Sequence, residues 1–193
     1  MDFRKLVEDA RTCRRFDESQ PLRMDDMEWL VDCARLSPCG MNAQKLRFAL
    51  VGAGKASDAL FGMVRFAAAI KDGTPVAGER PTAWIVVLLP QDGGELNFYD
   101  VGIACQTIQL AATSRGWGCC MIKSFDAQAV TQLVKTPDGL KPGLVLALGV
   151  AREVRKIAPM PADGSCKYWR DGERVHHVPK RSIDELVCTR IDA

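Results

Sequence analysis

Residues 83–89 read Ala-Trp-Ile-Val-Val-Leu-Leu, an apolar run without a charge and rich in strand-forming side chains. A half-exposed strand alternates apolar and polar positions, whereas an unbroken run needs cover on both faces. This segment therefore demands a central strand with helices or other packing layers above and below it. Residues 144–150 form a second core strand of similar character, and residues 46–51 and 117–122 supply two more.

Helical patterns lie between these strands. Phe3, Leu6, Val7 and Ala10 mark one face of a helix over residues 3–11. Asp25 and Glu28 have the spacing of a capping box with Asp25 as cap. The helix they open carries Met27, Leu30, Val31, Ala34 and Leu36 and stops before Ser37-Pro38, because proline disfavours helical geometry at the preceding residue. Residues 55–70 repeat Leu60, Met63, Val64, Ala67 and Ala68 at helical spacing. The longest helix covers residues 98–114. Val101, Cys105, Ile108 and Ala112 make one face and the others are less polar than usual, as in a helix that is buried or sits in a subunit interface. Asp126 opens a short helix reaching Val134. Helices and strands alternate irregularly, so the class is α+β or α/β with helices on both faces of a sheet. Beyond residue 153 the chain is polar with scattered aromatics and has no core of its own; it is expected to wrap over the domain or over a partner subunit. With 193 residues, one domain spanning 1–193 with 153–193 as an extended tail is expected.

Composition narrows the function. There are 26 basic and 24 acidic residues, mixed along the chain, so no basic face for nucleic acid is expected. No apolar run approaches the roughly 18 residues of a membrane span, and the start Met1-Asp2-Phe3-Arg4-Lys5 lacks a secretory pattern, which together suggest a cytoplasmic protein without membrane partners. The eight cysteines form no C-x-x-C pair, so a metal site is not expected; they read as free thiols acting as small core residues. His176 and His177 are the only histidines, read as solvent-facing residues of the polar tail, and a histidine-based hydrolase is disfavoured. The turn Gly52-Ala53-Gly54-Lys55-Ala56-Ser57 mimics a dinucleotide fingerprint, but Ser57 occupies the position that needs glycine or alanine, and Ala56 lacks the hydroxyl of a phosphate-binding loop.

Three segments point to an organic cofactor instead. Arg11-Thr12-Cys13-Arg14-Arg15-Phe16 concentrates guanidinium groups and a hydroxyl just after a helix, as a phosphate clamp or a solvated basic turn would. Ser37-Pro38-Cys39-Gly40-Met41-Asn42-Ala43-Gln44 makes a loop that can approach a flat ligand, with Asn42 and Gln44 able both to donate and to accept; an ordinary helix-to-strand connection fits as well. The third, residues 116–126, runs from strand to loop to helix start, a common place for a ligand site.

In this order and spacing the segments resemble the nitroreductase family of flavoproteins. Arg11-Thr12-x-Arg14-x-Phe16 resembles its R-S-x-R-x-F, and residues 37–44 resemble its S-P-S-x-x-N-x-Q-P-W. Asp100-Val101-Gly102-Ile103-Ala104-Cys105-Gln106 with the exit Gly116-Trp117-Gly118 is similar to the family's D-x-G-x-A-x-Q helix and G-x-G turn, and residues 180–186 resemble its basic tail. The departures are Thr12 and Cys39 in place of serines, Lys45-Leu46 in place of Pro-Trp, and Ser182 in place of a tail proline.

The resemblance implies an α+β nitroreductase-like fold with a central, mainly antiparallel sheet flanked by helices and a C-terminal extension wrapping the partner subunit. It implies a homodimer with FMN at the interface. Arg11, Thr12 and Arg14 would hold the phosphate, ribityl chain and pyrimidine edge, with Arg14 the candidate positive charge beside the flavin N1–O2 edge. Pro38, Cys39, Gly40 and Asn42 would contact the cofactor from the other subunit. Backbone around Lys123 and Ser124 would lie near flavin N5, and Lys180, with Arg181, would reach the phosphate. No side chain would act as a catalytic acid or base, because the flavin carries the chemistry. The implied activity is ping-pong reduction of nitroaromatic, quinone-like or related small-molecule acceptors by NADH or NADPH. A flavin-dependent reductase or dehalogenase of one metabolite, and a flavin or thiol sensor without turnover, are the alternatives.

Overall fold

The computed structural model describes residues 2–66, 70 and 72–191. Four strands, β1 (Arg47–Val51), β2 (Ala83–Pro90), β3 (Trp117–Ile122) and β4 (Leu140–Val150), form an antiparallel sheet in the order β1-β2-β4-β3. The apolar run at 83–89 thus occupies an inner strand. Ile85 and Val87 face one core together with Leu146, Leu148 and Cys119, against α2 (Met24–Arg35) and α4 (Glu95–Ser114). Trp84, Val86 and Leu88 face a second core with Val145, Ala147 and Cys120, against α3 (Lys55–Met63) and α5 (Ala127–Leu133). Two cores on one strand explain why neither face of residues 83–89 could be polar.

Some boundaries differ from the sequence reading. The second helix begins at Met24, not after Asp25: Asp26 accepts from the Arg23 backbone N–H at 3.1 Å, so Asp26 rather than Glu28 supplies the reciprocal carboxylate. Helix α3 ends at Met63, short of residue 70, because Val64 leaves the helix to bridge Phe125; Ala67 and Ala68 lie outside the described residues. Helix α4 begins at Glu95, three residues early. In the false fingerprint, Ser57 is buried and accepts from the Trp84 indole N–H at 2.8 Å, so this turn anchors α3 on the central strand.

The tail carries regular structure. It builds a second sheet from β5 (Arg155–Pro159), β6 (Trp169–Arg170) and β7 (His176–Lys180), in the order β5-β7-β6, before the short α6 (Ile183–Leu186). Periodicity is hard to see in strands this short, and β5 pairs with β7 in parallel across a long sequence gap.

The segment after α1 (Phe3–Asp9) lies against the sheet edge. Cys13 donates its backbone N–H to Cys119 at 2.9 Å, Phe16 bridges Ala151, and Asp17 donates to Val150 at 2.9 Å. Gly118 and Gly149 are cross-strand partners there, and they leave a notch filled by Cys13 and Phe16, both fully buried. A Cβ on Gly118 would fall 2.5 Å from Cys13 Sγ, and one on Gly149 would fall 3.0 Å from Phe16 Cβ. Gly118→Ala should therefore cost about 1–3 kcal/mol of stability by overpacking, read as a lower urea midpoint; an unchanged midpoint would show that the notch has slack.

Candidate functional site

The notch holds Cys13 and Phe16 inward and leaves Arg14 and Arg15 to find partners among later parts of the chain. Both are buried, and both are met by buried carboxylates. The backbone N–H of Arg14 donates to Glu153 Oε2 at 2.7 Å, while Glu153 Oε1 accepts from Arg170 Nε at 3.0 Å and Nη2 at 2.6 Å. Arg15 lies 3.4 Å from Glu79 Oε2 and donates to the carbonyls of Thr74 and Asp72; Glu79 also accepts from Arg174 at 2.8 Å. Two acidic residues thus tie the arginine segment to the tail.

A cavity of about 210 Å³ opens beside this segment. It is lined by Arg11, Thr12 and Arg14 from the segment, Gln106 and Gln109 from α4, and Tyr168, His176 and Lys180 from the tail. Three cations and no carboxylate line it among the described residues. Arg11 donates to the Val7 carbonyl at 2.7 Å, and Gln109 to the Ala10 carbonyl at 3.2 Å, which fixes the helix end against α4. Burial and the neighbouring Arg155 both lower the Arg11 pKa, a sign that positive charge is crowded here. The Arg14 guanidinium sits over the Tyr168 ring at 5.0 Å, and its Nη1 donates to His176 Nε2 at 3.4 Å. Of the cavity's lining residues, Arg11 and Arg14 have buried Nε atoms and His176 a buried Nδ1 without a protein partner. An unpartnered buried polar group costs roughly 1–3 kcal/mol, so such a set in one place suits an anionic or acceptor-rich ligand.

Of the residues singled out from sequence, Arg11, Thr12, Arg14 and Lys180 come together in this cavity. Arg181 does not line it; it pairs with Glu185 at 3.2 Å. Lys123 donates to the Gly143 carbonyl at 3.0 Å, and Ser124 offers its carbonyl to Arg65 at 2.9 Å, both away from the arginine cavity. The loop at 38–42 is also separate. Pro38 and Cys39 line a different cavity of about 270 Å³ between α2 and α4, and Gly40 donates to the buried Asp100 at 2.8 Å. Asn42 sits in a single 3-10 turn (Gly40–Asn42). Met41, Asn42 and Gln44 hold φ of 53°, 51° and 48° without being glycine, a concentration of left-handed backbone that α4 holds in place through Asp100 and through Ser37, 2.8 Å from Thr107. Strain of this kind gathers at ligand sites.

His176 corrects the sequence reading: it is 1% exposed, not solvent-facing. Its signal was lost because the tail looked coreless, whereas β7 carries it under Arg14 and Tyr168. Gln109 and Gln106 had a fainter signal, as polar residues on a helix apolar nearly all round. The thiols of Cys105 and Cys120 are pushed up to about 12 by burial, which makes them inert fillers.

A family model described as Nitroreductase family matches residues 7–150. The chain belongs to the nitroreductase family. Among solved structures, a nitroreductase family protein from Clostridium novyi NT is similar at 24% identity and TM-score 0.66, covering 79% of this chain and 88% of its own. A nitroreductase-type protein from Desulfovibrio desulfuricans, solved in complex with FMN, is similar at 18% identity and TM-score 0.67 over 98% of this chain and 96% of its own, so its match takes in most of the tail. The FMN-dependent nitroreductase NfnB from Mycobacterium smegmatis, in complex with NADPH, is similar at 18% identity and TM-score 0.62, over 77% of this chain and 87% of its own. No relative was found among curated proteins. No described helix is long and apolar enough to cross a membrane.

Burial, then the positive charges of Arg14, Arg170 and His177, push the His176 pKa down to about 4, with Glu153 opposing them. Between pH 6.5 and about 4 the unfolded chain binds a proton that the folded chain refuses. The stability this group confers is complete above pH 6.5 and falls as pH drops through that window, by up to about 1.4 kcal/mol per pH unit. Denaturation midpoints at pH 7 and pH 5 should separate more in the natural chain than in His176→Asn; equal separations would contradict a neutral buried imidazole.

Proposed function

We propose that the chain is an FMN-dependent oxidoreductase that uses NADH or NADPH to reduce nitroaromatic, quinone-like or related small-molecule acceptors in a ping-pong cycle. The observation that carries this reading is the cavity in which Arg11, Arg14 and Lys180 converge with unpartnered buried donors and no carboxylate among the described lining. The residues fit the phosphate and ribityl end of FMN: guanidinium groups bind phosphate bidentately, and Thr12 adds a hydroxyl. FMN, when bound, supplies the electron transfer from nicotinamide to acceptor. The protein's part is to hold the anionic tail with Arg11, Arg14 and Lys180, to keep Arg14 aligned, and to exclude bulk water with Tyr168 and His176. The FMN and NADPH complexes of the structural relatives support the choice of cofactor and donor.

A cavity of about 210 Å³ is small for a whole flavin, since ligand sites commonly span about 300–1,000 Å³. The ring system needs further walls, and a second copy of the chain would provide them. Helix α4 exposes Leu96, Phe98, Tyr99 and Ile103, and Leu36 and Met41 are exposed nearby in sequence to the 38–42 loop. A patch of this kind favours association. In the homodimer, Pro38, Cys39, Gly40 and Asn42 of one copy would approach a flavin whose phosphate is held by the other copy, with the backbone at Lys123 and Ser124 near its N5; the tail would extend over the partner.

Arg14→Glu should fold yet bind added FMN at least about 100-fold more weakly, since a charge-assisted pair is replaced by a repulsion. Steady-state oxidation of NADH or NADPH with a quinone or nitroaromatic acceptor should fall with it. Unaltered FMN affinity in this variant would remove Arg14 from the site, and tight FMN binding by the natural chain with no reduction by either nucleotide would favour a sensor.

A further inference from the structure

His176 lies outside every motif that led to the flavin site, yet it is the most deeply buried polar side chain lining the arginine cavity. Its hydrogen bonding fixes its tautomer. An arginine has only donors, so at the 3.4 Å contact with Arg14 Nη1 the His176 Nε2 must accept. A neutral imidazole accepting at Nε2 carries its proton on Nδ1. That Nδ1–H is buried and has no partner in the protein. Tyr168, 5.1 Å away ring to ring, covers the imidazole, and the His176 backbone is held by its own N–H to the Val154 carbonyl at 2.8 Å. One ring nitrogen is thus engaged and the other is a buried donor without a protein partner.

We propose that His176 is a ligand-contacting residue of this cavity, whose Nε2 accepts from Arg14 and whose Nδ1–H donates to an acceptor oxygen of the bound mononucleotide. This rests on the flavin reading above and adds a neutral donor to a site otherwise made of cations. The pairing has a consequence for Arg14. With Nη1 turned to His176 and its face on Tyr168, the guanidinium is held in one orientation before ligand arrives, which reduces the entropy lost on binding. Charge at His176 would undo both effects. The groups facing it are Arg14, Arg170, His177 and Glu153, and only Glu153 favours a proton. Its two carboxylate oxygens are already engaged by the Arg14 backbone and by Arg170.

Three variants separate the two nitrogens. In His176→Asn the side-chain amide N–H falls near the Nδ1 position, in His176→Gln the amide reaches the Nε2 position instead, and His176→Phe keeps the ring volume with no polar atom. Binding is read by quenching of FMN and riboflavin fluorescence in titrations at pH 7.5, with thermal melts as the check on folding. The natural chain and His176→Asn should bind FMN within about threefold of one another, while His176→Gln and His176→Phe should bind about tenfold or more weakly, the size of one lost hydrogen bond. The same ranking with riboflavin places the acceptor oxygen on the ribityl chain or ring; a ranking seen with FMN alone places it on the phosphate. The proposal falls if His176→Gln binds as tightly as His176→Asn, a comparison that holds even if His176→Phe does not fold. If the natural chain binds FMN and all variants match it, only the His176 assignment fails. If the natural chain itself takes up no FMN, the flavin reading fails and this assignment goes with it.

Discussion

The seating of Cys13 and Phe16 in a notch two glycines wide is the contact on which the site depends. Gly118 and Gly149 pair across β3 and β4, and with no side chains there the segment after α1 can lie directly on the sheet. Its backbone then joins the sheet edge through Cys119, Val150 and Ala151. Arg14 and Arg15, held between two fully buried anchors, have little freedom of their own. Their positive charge is concentrated at one fixed place before any ligand arrives, and fixed charges need no reorganisation on binding.

Concentrated charge is costly unless it is compensated, and the fold compensates it asymmetrically. Glu153 and Glu79 are buried and take up the Arg14 backbone, Arg170, Arg15 and Arg174. Neither carboxylate lines the cavity where Arg11, Arg14 and Lys180 converge. Charges that hold the tail down are thereby neutralised, whereas those facing the cavity remain open to an anion. The tail contributes both kinds of residue. Arg170 and Arg174 clamp it, and Tyr168, His176 and Lys180 complete the wall. Tyr168, His176 and Lys180 lie beyond residue 150, where the family match ends.

Much of this was legible in the sequence because it rests on short-range rules. The unbroken run at 83–89 required an inner strand, the spacing of Val101, Cys105, Ile108 and Ala112 gave the long helix, and the cluster at Arg11, Thr12 and Arg14, open to reading as a phosphate clamp or a solvated basic turn, lines one cavity. What escaped depends on contacts far apart in the chain. His176 meets Arg14 across more than 160 positions, and β5 pairs with β7 across an irregular stretch, so no local pattern reports either. Ser57 showed as a defect in a nucleotide fingerprint, and only the fold reveals it as the partner of Trp84. The cap of α2 lies two residues earlier than expected, at Arg23 rather than Asp25, and Asp26 rather than Glu28 reaches back to its N–H.

On the proposed function, two copies of the chain enclose a mononucleotide flavin whose anionic end lies among Arg11, Arg14 and Lys180. Native mass measurement of the purified protein, with identification of whatever chromophore it releases on unfolding, tests this most directly. A two-chain particle carrying one FMN per chain is the result expected. A colourless single chain that stays single and unliganded when FMN is added would contradict it.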